Sequence, residues 1–345
     1  MKQLIKRMLP SFRASKSVLN QCEMLQREIN DLKEKIKDTD KKNEYLFFLS
    51  QRLSGETELE TRKRIFLEIP KASGELRQIQ QIEMFILSKL KTLCINNRIK
   101  FFLMFGSLLG AVRHKGFIPW DDDIDIGMMR NDYERLKEVI AEDELLELQN
   151  YYCCTAIGEA NIIHKIKLKG NERFFLDIYI YDYIDCTVET KNELMEKYSK
   201  VNLSFRDEFN KYACGKYNYK DFLENGVYIP KPIAELDVVV DALHDKYYND
   251  FGKLGDGDYF CFDFENNTGS LNVTGLLPCD KYFPLKKNGS VFEGNFFYSL
   301  RNAEDYLILL YGDIWSFPLA INGHHLDEIG HLNDNDYRFI ENILN

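Results

Sequence analysis

The chain has no run of eighteen or more apolar residues, so no segment reads as a bilayer-spanning helix. Its N-terminus carries positive charge but lacks the apolar core and small-residue cleavage site of a secretory signal. Eight cysteines occur in 345 residues, and no two have the two-residue spacing that zinc sites and redox motifs use. They read as reduced thiols of a cytoplasmic protein. Positive charge is also short: a net charge of −10 argues against general binding to nucleic acid, whose affinity rests on Lys and Arg neutralising phosphates. There is no internal repeat and no low-complexity tract. What is present is ample material for a core, with 45% hydrophobic and 13% aromatic residues, enough for one large domain or two modest ones.

Charge and apolar residues are unevenly spread. Lys2, Lys6, Arg7, Arg13 and Lys16 occur in residues 1–20 without a single acid. With Leu4, Ile5, Met8 and Leu9 they make residues 1–16 a basic amphipathic segment, either an interfacial helix on anionic lipid or a disordered start. A seven-residue pattern follows over 17–55. Val18, Leu25, Leu32 and Leu46 share one seam position and Cys22, Ile29 and Ile36 the other, which predicts a coiled coil interrupted at Thr39 and Asn43. The alternative is a long helix packed on its own domain. Residues 56–345 then form the remaining domain.

Within that domain the periods predict a helix at about 75–97, a buried strand from Ile99 to Phe105, a short helix around Leu108–Val112 and a strand from Ile124 to Met128. Asn131 or Asp132 is expected to cap the next helix. Strands are expected at Ile162–Leu168 and Phe174–Ile180, a helical layer over 190–250, a strand pair near Val291–Phe292 and Asn295–Tyr298, and a helix around Ala303–Leu310. The fold class is α/β (α+β), a mixed sheet flanked by helices, with an N-terminal coiled-coil helix.

The chemistry concentrates in GSLLGAVRHKGFIPWDDDIDIGM at 106–128. Asp123 and Asp125 alternate across Ile124, so a strand projects both carboxylates to one face. Two carboxylates at a strand end bracket a divalent cation, and Asp177 on a later strand is the candidate third. The Gly106-Ser107 turn offers backbone amides and a hydroxyl to phosphate. Strand, Gly-Ser turn, helix, Asp-x-Asp strand and a later Asp is the order in which nucleotidyltransferases of polymerase-beta type assemble their site.

Together with LRQIQ at 76–80, RFFLDIYIYD at 173–182 and FPLKK through FEGNFF to YGDIW at 283–315, this block resembles the LicD family. It is also similar to the catalytic regions of fukutin and fukutin-related protein. The resemblance implies Mg²⁺-dependent transfer of a phospho-alcohol, such as phosphocholine or ribitol phosphate, from a CDP-linked donor (CDP-choline or CDP-ribitol type) to a glycan hydroxyl, with release of CMP. It makes Asp123 and Asp125 metal ligands, and Asp177 either a third ligand or the group that accepts the acceptor's proton. Mn²⁺ is the second candidate ion. Around them, Arg113 and Lys115 are candidate donor-phosphate contacts, and Asp121 and Asp122 are expected to orient the ligands. Lys165 and Lys167 reach phosphate if their strand neighbours that of Asp177, and are otherwise exposed strand lysines. Tyr311, Gly312, Asp313 and Trp315 match the C-terminal block of that resemblance and are expected to end a helix and pack the domain. Adjacent His324 and His325 point apart and do not suggest zinc. Where family members often carry a further glycine, this chain has Phe105.

The expected partners are the CDP-linked donor, a glycan acceptor that is lipid-linked, a second copy through the coiled coil, and the inner face of a membrane. Two other readings are an NTP-dependent nucleotidyltransferase and a non-catalytic coiled-coil assembly factor of a polysaccharide-synthesis complex.

Overall fold

The computed structural model describes residues 2–184, 191–224, 227–251, 257–262, 275–318 and 331–344, with side chains described from Glu23 onward. The chain divides into two compact units, Met1–Ile65 with Trp315–Ile321, and Phe66–Ile314 with Asn322–Asn345.

The first unit is built on helix α1 (Lys2–Ser50), joined by a short turn to α2 (Glu58–Glu68). α1 runs unbroken through Thr39 and Asn43, which corrects the expected interruption. The Thr39 hydroxyl donates 2.8 Å to the carbonyl of Lys35 and is satisfied inside the helix. The seam residues Leu25, Ile29, Leu32, Ile36 and Leu46 are all exposed; the side chains of Val18 and Cys22, like those of the basic segment 1–16, lie outside the described residues. Near its C-terminus the helix gains a local core. The buried Phe48 stacks on Phe317 at 5.5 Å, and the Arg62 guanidinium lies 4.4 Å above the Phe48 ring. Lys63 sits 4.9 Å over Trp315, so the packing duty expected of Trp315 is carried out in this unit.

The second unit begins with α3 (Gly74–Asn96), β1 (Phe102–Leu103), α4 (Phe105–Arg113), β2 (Asp125–Met129) and α5 (Arg130–Ala141). It continues with β3 (Leu146–Cys154), β4 (Ala160–Leu168), β5 (Phe175–Ile184), α6 (Lys191–Lys216), a 3-10 turn at Tyr219–Phe222, the short pair β6 (Leu223–Glu224) and β7 (Val227–Tyr228), and α7 (Ala234–Phe251). The rest is β8 (Tyr259–Phe262), β9 (Leu277–Pro278), α8 (Cys279–Tyr282), β10 (Lys286–Phe292), β11 (Asn295–Ser299), α9 (Ala303–Tyr311) and α10 (Asp334–Leu344).

The mixed sheet runs β10-β11-β1-β2-β5-β4-β3, with β8 added beside β5. β2 and β5 are parallel, whereas β4 is antiparallel to both β5 and β3. The expected α/β class is what forms. The strand foreseen from Ile99 to Phe105 shrinks to two residues because the backbone turns into α4 at Phe105. α5 starts at Arg130 after Met129, which offers no side-chain cap, so Asn131 and Asp132 sit inside the first turn rather than before it. The helical layer foreseen over 190–250 is present: Leu194, Tyr198, Phe205 and Phe209 of α6 and Leu236, Val240 and Leu243 of α7 pack with Tyr152, Cys154 and Ile162 of the β3–β4 hairpin. β3, α2 and α10 were not anticipated.

Candidate active site

β2 and β5 pair in parallel with Asp125 opposite Asp177, and the amide of Asp177 donates 2.9 Å to the carbonyl of Ile124. That register brings together carboxylates from distant parts of the chain. One oxygen from each of Asp123, Asp125 and Asp177 lies within 4.8 Å of the others. Such a set of hard oxygen donors fits Mg²⁺ or Mn²⁺, and Asp177 Oδ1 is a buried acceptor with no hydrogen bond.

The turn before α4 is tied to this cluster from below. The Ser107 hydroxyl accepts 2.9 Å from the amide of Asp125, and the Gly106 amide donates to the Asp125 carboxylate. A Cβ at Gly106 would stand 2.8 Å from Asp121 Oδ2, so any side chain there would push the Asp121 carboxylate aside. Phe105 has a left-handed φ of +41°. Its ring stacks on Phe262 at 5.7 Å and meets Tyr179 edge-on at 4.5 Å, contacts that offset the backbone strain.

Burial and mutual repulsion make this pocket electrostatically unfavourable while it holds only acids. Asp125 is held well above the usual carboxylate range, first by burial and then by Asp123, Asp177 and Asp121; only the Gly106 amide opposes this. Burial, with Asp123 and Asp122, lifts Asp121 to about 8. A sixth acid, Glu83 of α3, was missed in the sequence. It is only 3% exposed and is pushed well up by burial and by Asp123, Asp122, Asp121 and Asp177, and its Oε2 has no hydrogen-bond partner. Its one sequence signal was an acid on the apolar stripe of α3, between Ile79, Ile82 and Ile86. Tyr179 and Tyr311 also border the cluster, since the aspartates raise both phenols once burial has done so. Tyr311 therefore does more than end α9.

The lysines of β4 correct the expectation of exposed residues, because both are buried. Lys165 pairs in register with Asp177, its ammonium 3.5 Å from Oδ1, a distance that gives attraction without a full hydrogen bond. Burial lowers its pKa and Asp177 opposes the fall. Lys167 points along the same face but is held by Glu172 and Glu147, away from the cluster. Arg113 and Lys115 are not brought to the carboxylates. Arg113 ends, and Lys115 follows, the nine-residue helix α4 whose first turn meets the carboxylates, about 12 Å of rise away. The Arg113 guanidinium lies 3.8 Å over Phe66, and Lys115 donates 3.3 Å to the carbonyl of Val112. The His114 ring bonds the Phe66 carbonyl at 2.7 Å, and burial takes its pKa down to about 4. Asp122 is buried beside the cluster but outside the three-carboxylate set. His324 and His325 lie outside the described residues.

A polar chain explains why the separated blocks of the sequence belong together. Arg77 donates 2.7 Å to Glu293 of the FEGNFF segment and 3.0 Å to Gln80 Oε1, and Gln80 in turn donates 2.8 Å to the carbonyl of Asp121. Lys71 supplies Glu293 with a second cation at 2.7 Å. The LRQIQ and FEGNFF blocks thus hold the aspartate loop in position. Likewise Asp182, which ends RFFLDIYIYD, forms a buried two-bond pair with Arg130, both bonds at 3.1 Å.

A mixed sheet flanked by helices thus presents three clustered carboxylates beside a Gly-Ser helix start. Residues 98–230 match the family described as LicD/FKTN/FKRP, nucleotidyltransferase domain. The lipopolysaccharide cholinephosphotransferase LicD of Haemophilus influenzae is 34% identical over 161 residues, covering 41% of this chain and 58% of that protein. Uncharacterized proteins of Rickettsia prowazekii and Rickettsia typhi are 40% and 32% identical over 106 and 126 residues, covering 26% and 34% of this chain and 40% and 39% of theirs. The chain thus spans between two fifths and three fifths of the length of these relatives.

Proposed function

We propose that the protein transfers a phospho-alcohol, of which phosphocholine is the first choice, from a CDP-linked donor to a hydroxyl of a cell-surface glycan such as lipopolysaccharide, releasing CMP. The observation that carries this reading is the cluster of Asp123, Asp125 and Asp177, set in a domain whose named relative is a cholinephosphotransferase. Asp123, Asp125 and Asp177 would hold Mg²⁺, which when bound neutralises phosphate charge and acidifies a coordinated hydroxyl. The chain's own groups divide the remaining work. Gly106 and Ser107 hold Asp125 in place through an amide and a hydroxyl. Lys165 balances Asp177 and offers the one buried ammonium placed on an active-site carboxylate among the described residues. Glu83 and Asp121, both raised in pKa, hold protons near neutral pH while the site contains only acids, which leaves Asp177 as the group proposed to accept the acceptor's proton if it does not bind the metal. α3 buries Ile79, Ile82 and Ile86 and brings Glu83 beside the aspartates.

Incubation with a panel of CDP-alcohols and Mg²⁺ tests the reading. CMP release with CDP-choline, abolished by chelator, supports it. Pyrophosphate from an NTP with no CMP from any CDP-alcohol would replace it with nucleotidyl transfer. The acceptor is inferred to be lipid-linked and met at the inner face of a membrane through residues 1–16. No helix among the described residues is long and apolar enough to cross a membrane. Deleting residues 1–16 should move the protein from the membrane fraction to the supernatant, and unchanged partitioning would remove this part of the proposal. Self-association through the α1 seam is likewise proposed, on the exposed heptad residues.

A further inference from the structure

A second cavity, of about 380 Å³, opens at the opposite ends of α4 and α9 from the carboxylates. Gly106, in the first turn of α4, touches Asp125, and the last turn of α4 supplies Ala111 and Val112 to the cavity wall. α9 runs the other way: Tyr311 at its C-terminus borders the aspartates, while its first turn, Ala303 to Asp305, lines the cavity. Each helix has nine residues, so the two sites are about 13 Å apart.

The cavity wall suits an anion on three separate grounds. Lys115, Lys286 and Arg301 line it, and the hydrogen bonds of Lys115 and Arg301 go to the carbonyls of Val112 and Asp280, which leave their charge uncancelled. Lys286 forms no ion pair among the described residues. The opposing carboxylates are Glu304 and Asp305, and Asp305 is neutralised from outside by Lys281 at 3.0 Å. The first turn of α9 points its peptide dipoles into the space, and Asn302 provides no side-chain cap because its amide donates instead to the carbonyl of Lys281 at 2.8 Å. Finally, Ser290 on the bulged strand β10 lines the cavity, is only 6% exposed, and its hydroxyl has no hydrogen-bond partner among the described residues.

We infer that this cavity binds a phosphate group, a monoester or diphosphate, on a ligand distinct from the one placed at the carboxylates. The Ser290 hydroxyl and the first-turn amides of α9 donate to its oxygens, and Lys115, Lys286 and Arg301 balance its charge. The proposal does not depend on the transfer reaction, and its test needs no turnover. Inorganic phosphate and pyrophosphate are titrated calorimetrically into the full chain in chelator, a condition in which the carboxylate cluster repels anions. Saturable binding is expected. Lys286→Glu and Ser290→Val should each weaken it about tenfold or more, with the melting temperature of the exposed Lys286→Glu variant confirming its fold. Asp123→Asn should leave it unchanged. The inference is overturned if the wild-type chain takes up neither anion at millimolar concentration, if both cavity variants bind like wild type, or if Asp123→Asn alone abolishes binding.

Discussion

Two regions of the molecule invert the ordinary partition of side chains, in opposite senses. At the ends of β2 and β5, carboxylates are buried: Glu83 is 3% and Asp125 6% exposed. Along α1 it is apolar side chains that meet solvent, with Leu32 58% and Ile36 59% exposed. In the first region each ionised acid raises the cost of the next; in the second the cost is unburied hydrocarbon. Each imbalance is the kind a partner relieves, a cation for the acids and another apolar face for the helix.

The largest expected effect breaks the first region. Asp125→Asn should lower CMP release from a CDP-alcohol by about a thousandfold or more, because it removes the negative charge of a proposed metal ligand while leaving an oxygen to accept from the Gly106 amide. The same variant should melt higher than wild type in chelator, since it relieves repulsion; a lower melting temperature would show that the acids stabilise one another. A smaller effect follows from pH. Asp121 ionises near 4 when unfolded and at about 8 in the folded protein. Between those values the folded state holds more protons, so stability in chelator is highest at the acidic end and falls as pH rises from about 4 to 8, by a few kcal/mol at most. Mg²⁺ should restore more of the melting temperature at pH 8 than at pH 6, and equal restoration would argue against metal at the acids.

Smaller again is the support of the aspartate loop. Arg77→Met strips Glu293 of one of its two cations and Gln80 of its donor, and should cost about 2 kcal/mol in urea unfolding, with a partial loss of activity. The least change in activity is expected from the second region. Leu32→Asp with Ile36→Asp should reduce the mass measured by light scattering to that of one chain, while CMP release per chain stays within about twofold. Unchanged mass would mean that the seam does not join copies of this protein.

The local patterns carried much of this organisation. Periodicity located α3, β2, β4, β5, the β10–β11 pair and α9, because each buries a face whose spacing repeats at 3.6 or 2 residues. The same signal did not reveal β3, where Asn150 and Gln149 break the apolar run, although Asn150 there is occupied by Asp237 and His164. It also could not tell Lys165 from Lys167. Both alternate correctly on β4, yet one faces Asp177 and the other is taken by Glu172 and Glu147. Proximity in the chain misplaced Arg113 and Lys115, which lie between the turn and the aspartates in sequence but at the far end of α4 in space.

By itself the sequence determined the elements and the chemical character of the site. Asp-x-Asp on a strand, a Gly-Ser helix start and a third strand aspartate are local facts of residue type and spacing. Only the tertiary structure decided which charges meet. The parallel register of β2 on β5 sets Asp125 opposite Asp177, and the packing of α3 delivers Glu83, while α4 and α9 carry a second polar cavity to the far side. Those outcomes depend on distances between residues tens to hundreds of positions apart. No local period encodes such distances, because strand register and helix packing fix them only when the whole core closes.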